Sequence, residues 1–101
     1  WPTFWMIPAN QVWPPEIDIV DNFHAGRLPN HVISGGVIKL PLGTAGSGFG
    51  QEGGFDLGKP VNGVWRTFTL EWSPTFLDYN MDDIRYFRFP TPSNFHVPML
   101  C

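Results

Sequence analysis

Proline and glycine interrupt this chain so often that no long stretch keeps the 3.6-residue apolar period of a helix. Eleven of each stand among 101 residues, and each is a local structure breaker. Between the breaks lie short aromatic and β-branched runs, which argue for an all-β sandwich or barrel. Residues 1–7 read as a strand with Trp1, Thr3, Trp5 and Ile7 on one face. Residues 16–22 read as a second, and 31–40 as a third in which Gly35-Gly36 marks a bulge or a close backbone approach. Residues 41–63 are glycine-rich and expected as a long surface loop or a weak strand pair. Residues 64–72 give the clearest strand, where Arg66, Phe68, Leu70 and Trp72 alternate with Trp65, Thr67, Thr69 and Glu71. Residues 76–81 and 84–89 read as a hairpin across Asp82-Asp83, and 90–98 as a proline-rich loop.

Composition excludes several classes. With 43% hydrophobic and only 15% charged residues, the chain is not disordered. A net charge of -3 leaves no basic patch to neutralise phosphates, so no nucleic-acid partner is expected. The apolar runs are far too short to span a bilayer as a helix, and no membrane partner is expected. The lone cysteine, Cys101, permits no internal disulfide and is expected as a core thiol. The chain starts without Met inside what reads as a strand, and stops where another apolar segment begins. It is therefore expected to be the middle of a larger domain, with unpaired strand edges and poor stability by itself.

Three carboxylates, Glu16, Asp18 and Asp21, sit in the run Trp13-Pro-Pro-Glu-Ile-Asp-Ile-Val-Asp21. Carboxylates are expensive to bury, so three in one apolar strand need a reason. Cleavage of a glycosidic bond is one, because it uses paired carboxylates at a set separation. A solvated polar face is the plainer alternative. Side chains alternate along a strand, so Glu16 and Asp18 share a face and Asp21 points away unless a bulge absorbs one residue between them. With such a bulge the Cα atoms of Glu16 and Asp21 lie about 13 Å apart at the usual rise per residue. Side chains leaning together would then bring the carboxyls near the ~5–5.5 Å of a retaining glycosidase. Asp18 would lie between them, within reach of Glu16, where close carboxylates cannot all ionise.

Together with Trp1-Pro-Thr-Phe-Trp-Met-Ile-Pro8, this run resembles glycoside hydrolase family 16, the family of laminarinases and lichenases. Its signature is Glu-x-Asp-x-Glu, or the bulged Glu-x-Asp-x-x-Glu, behind a Trp-Pro-Ala-x-Trp strand. Trp65-Arg-Thr-Phe-Thr-Leu-Glu-Trp-Ser-Pro74, Leu77-Asp-Tyr-Asn-Met-Asp-Asp83 and Thr91-Pro-Ser-Asn-Phe-His-Val-Pro-Met-Leu100 are similar to later segments of that family, in the same order. The resemblance implies a concanavalin-like antiparallel β-jelly-roll sandwich, incomplete at both ends, with residues 1–101 the central part of a single catalytic domain. It implies a glycan cleft on the concave face, a secreted enzyme, and a retaining endo-β-glycosidase cutting β-1,3- or β-1,3-1,4-glucan without a cofactor. Glu16 would be its nucleophile, Asp18 the helper, and Asp21 would stand at the acid/base position.

One departure matters: the family places Glu where this chain has Asp21. Losing a methylene withdraws the carboxyl by about 1.3 Å, toward the ~6.5 Å lower limit of inverting geometry. An impaired enzyme, a glycan-binding receptor that has lost turnover, or an inactive fragment are the corresponding alternatives. Trp13 borders Glu16 and is expected as a sugar platform; Trp1 and Trp5 fit either a platform or the core. Trp65 and Trp72 are expected in the core. His24, His31 and His96 lack metal-cage spacing, so no metal is expected; His31 is the nearest match to a histidine the family carries on its next strand. Residues 43–54 hold no phosphate-loop motif, and Ser34, Ser47 and Ser73 have no nucleophile-elbow context.

Overall fold

The computed structural model describes residues 2–21, 31–39 and 50–101, at 50 and 51 by backbone alone. The strands are β1 (Thr3–Pro8), β2 (Glu16–Asp21), β3 (Val32–Ile38), β4 (Gly50–Asp56), β5 (Phe68–Trp72), β6 (Phe76–Met81), β7 (Ile84–Pro90) and β8 (Met99–Leu100), with a 3₁₀ turn at Ser93–Phe95. They form a five-stranded sheet, in the order β4-β3-β2-β1-β8, and a three-stranded sheet, β5-β6-β7. Every pairing is antiparallel. The small sheet packs on the large one through β5 against β2 and β7 against β3 and β4. The fold is thus the all-β antiparallel sandwich of jelly-roll type that the sequence leads one to expect.

The core lies between the sheets. Ile17, Ile19 and Val20 of β2 and Ile33 and Val37 of β3 meet Leu77, Tyr79, Met81 and Tyr86 from the other layer. Phe95 fills the core from the 3₁₀ turn, inside the segment expected as a simple loop. Close packing of the aromatics depends on two glycines paired across β3 and β4, Gly35 and Gly53. A Cβ on Gly53 would stand 2.2 Å from the Phe87 ring, and one on Gly35 would meet the Asp18 and Ile19 carbonyl oxygens at 2.7 and 2.8 Å. Gly35-Gly36 is therefore a close approach inside an unbroken strand. Within 41–63, expected as a long surface loop or a weak strand pair, Gly50–Asp56 form β4, and 41–49 lie outside the described residues.

The Asp82-Asp83 hairpin forms as expected, with Asp82 in the left-handed region at φ 52°. Asp82 also ties down the lead-in to β5, accepting from the Thr67 amide at 3.0 Å and from Arg66 Nη1 at 2.9 Å. Pairing with β6 begins only at Phe68, later than the alternation from residue 64 suggests. That late start explains one correction. Trp65 stands before the paired strand and is wholly exposed, not core. Trp72, at the far end of β5, is 39% exposed, and Cys101 is exposed as well.

Candidate active site

β2 begins directly after Trp13-Pro14-Pro15, whose two X–Pro bonds are both cis. Its burial reads as three half-buried carboxylates around buried Ile17, Ile19 and Val20. Two adjacent buried residues cannot occur in a regular strand with one buried face. The register explains them: Trp5 pairs with Asp18 and Phe4 with Val20, so one step on β1 spans two on β2. Ile19 is the extra residue of a β-bulge. On β1, Thr3 and Trp5 share a face, and their partners Asp21 and Asp18 share it with them. Glu16, two residues before Asp18, lies on that face too. The bulge expected from the sequence is present, and it gathers Glu16, Asp18 and Asp21 on the side facing away from the core.

Two polar contacts converge on Glu16. The Trp13 indole Nε1–H donates to Oε2 at 2.6 Å, and Asp18 shares a side-chain hydrogen bond with it. Burial, that hydrogen bond, and the negative charges of Glu16 and Asp21 push the Asp18 carboxyl up to about 8. Asp18 thus keeps a proton at neutral pH and can donate that proton's hydrogen bond to Glu16. Trp13 is 37% exposed and Trp5 44% exposed, the latter in direct register with Asp18 on the carboxylate face. Beyond Asp18, the same row runs through Gly36 on β3 to exposed Glu52 on β4. Trp1 and His24 lie outside the described residues.

The remaining histidines do not join the carboxylates. His31 precedes β3 and pairs through Nδ1 with Asp56 Oδ1 at 2.5 Å. His96 is exposed after the 3₁₀ turn.

The residues beneath the site escaped the sequence reading. Tyr86 Oη donates to the carbonyl of Ile19, the bulged residue itself. Tyr79 Oη donates to the Gly36 carbonyl at 2.9 Å, and Ser34 Oγ donates to the Asp21 carbonyl. Burial raises both phenols above the ordinary tyrosine value, so both stay protonated donors. A signal for Tyr86 does exist in the sequence. β7 pairs Tyr79 with Phe87 and Asn80 with Arg85, leaving Tyr86 as a second bulge. The doubled apolar pair Tyr86-Phe87 repeats the pattern of Ile19-Val20.

No protein-family profile matches the chain. Among curated proteins it is similar to the endo-1,3-1,4-beta-glycanase ExsH of Rhizobium meliloti (strain 1021), 30% identical over 99 residues, covering 98% of this chain and 20% of that protein. It is 31% identical over 102 residues to a glucan endo-1,3-beta-glucosidase of Cryptopygus antarcticus, covering 94% of this chain and 36% of that protein. It is 33% identical over 101 residues to a beta-glucanase of Rhodothermus marinus, covering 89% of this chain and 32% of that one. The chain thus has homologues named as glucan-cleaving enzymes, and spans a fifth to about a third of their length.

Proposed function

We propose that the carboxylate face is the hydrolytic site of a retaining endo-β-glycosidase of family 16, with a β-1,3- or mixed β-1,3-1,4-glucan as substrate. The observation that carries this reading is the bulge at Ile19, which sets Asp21 beside Glu16 and Asp18. Glu16 attacks the anomeric carbon while Asp21 passes its proton to the departing oxygen, leaving the sugar as an ester on Glu16. Water then attacks the same carbon, Asp21 takes its proton, and Glu16 leaves as a carboxylate. Asp18 keeps its proton throughout and, with Trp13, holds Glu16 in one orientation. Trp5 and Trp13 offer exposed ring surface beside these groups, suited to the apolar face of a pyranose; Trp1 is assigned the same role.

The relatives' names support a glucan as the substrate class. Reducing-sugar release from laminarin and lichenan by the full-length protein tests the reading. Glu16→Gln is expected to abolish release, and the first product of the native protein to keep its anomeric configuration by proton NMR. Full turnover by the Glu16 variant would overturn the assignment.

The short acid at position 21 favours a second reading, a glycan receptor without turnover. Glucan binding with no release by either the native protein or Asp21→Glu would establish it. Turnover that rises in Asp21→Glu would exclude it.

A further inference from the structure

We infer that Tyr86 is a positioning residue: its phenol, reaching across the sandwich to the Ile19 carbonyl, holds open the bulge that keeps Asp21 on the carboxylate face. The inference rests on the glycosidase reading for its kinetic consequence, but its structural content stands on the two registers alone. Among the described residues, Ile19 takes no place in either ladder: β1 skips from Asp18 to Val20, and the pairing of β2 with β3 runs from Glu16 to Asp18. Ile19 is 2% exposed. Its carbonyl is therefore out of reach of water, and a buried carbonyl without a donor is costly. Tyr86 supplies that donor, and does so from a bulge of its own.

The two irregularities face each other. Were β7 a regular strand, alternation from Phe87 would turn Tyr86 to the outer face of the small sheet beside exposed Arg88. Were Ile19 drawn into regular pairing with β1, Asp21 would turn toward the core. Gly35 completes the arrangement, because only a residue without a Cβ lets β3 pass so close to the Asp18 and Ile19 carbonyls. The position of a surface carboxylate is thus set from the opposite layer.

The test compares Tyr86→Phe with Arg88→Gln in the full-length protein. Tyr86→Phe keeps the ring and removes the donor. Arg88→Gln breaks the ion pair with buried Asp78 on the outer side of the small sheet, and so lowers stability without touching the bulge. Tyr86→Phe is expected to lower kcat about ten- to a hundredfold, the effect of an ångström-scale misplacement. KM should change little, and the cross-strand NMR contact between Phe4 and Val20 should weaken. Arg88→Gln should lower the unfolding midpoint at least as much while keeping kcat within about twofold. A Tyr86→Phe protein with native kcat, or with the Phe4–Val20 contact intact, would overturn the inference. Turnover that survives Glu16→Gln would instead overturn the glycosidase reading, and the NMR comparison would still decide the role of Tyr86.

Discussion

The nucleophile of the proposed reaction must be ionised, aimed and kept from rotating. Glu16 gains these constraints from two neighbours of different kind. The Trp13 indole fixes one oxygen at 2.6 Å, and protonated Asp18 provides a second hydrogen bond. Hydrogen bonds to charged groups are worth about 1.5–3 kcal/mol. Trp13→Phe keeps an aromatic surface but deletes the donor, so kcat should fall about 10- to 100-fold with little change in KM for long glucans. Steady-state kinetics would check this, and an unchanged kcat would show that the indole N–H does not orient Glu16. The three carboxylates and Trp13 were legible as residues of interest from their types and spacing. The direction of the Trp13 N–H was not, because a sequence does not say which edge of a ring meets its neighbour.

At the scale of elements, regularity and its failure were unequally visible. The β6–β7 hairpin was legible because alternation and a two-residue Asp-Asp turn agree. The start of β5 was not, because alternation from residue 64 looks the same whether or not a partner strand is present; Trp65 is exposed for want of one. The β2 bulge was legible only because the carboxylates demanded it, and its counterpart on β7 carried no such demand. Glycine in β3 reads from the sequence as a bulge or a close approach; it is the close approach, and its cost of replacement can be stated. Gly35→Ala sets a methyl against two backbone carbonyls that belong to the bulge. Overpacking of this kind costs about 1–3 kcal/mol. Urea denaturation should show a lowered midpoint of that size; a native midpoint would mean that the strands have slack.

For the whole molecule, the carboxylates act in opposite directions as pH changes. Asp78 is held below the ordinary carboxylate range, chiefly by its hydrogen bonds from Arg88. Asp82 is held down by the Thr67 amide and Arg66, and Asp56 by the Gly58 amide and His31. Their contribution is present above the unfolded carboxylate value and is lost as pH falls below it. Asp18 behaves in reverse. Between its ordinary 3.8 and about 8, the folded protein keeps a proton that the unfolded chain releases, so rising pH favours unfolding over that window. Stability should therefore peak in mildly acidic solution. Asp18→Asn should flatten the decline toward pH 8 and leave the acid limb in place. Denaturation curves taken across that range would test it, and an equally steep decline in the variant would refute the account. The site also has a tolerance that its acidic residues do not reveal. Between Asp18 and Asp21 this strand carries one residue more than its partner, so an in-frame loss of the Ile19 codon would leave the two aspartates in plain alternation, both still on the face of Glu16. Among diverged copies of such a gene, a strand shorter by that residue is compatible with retained chemistry, whereas replacement of one of the three acids is not.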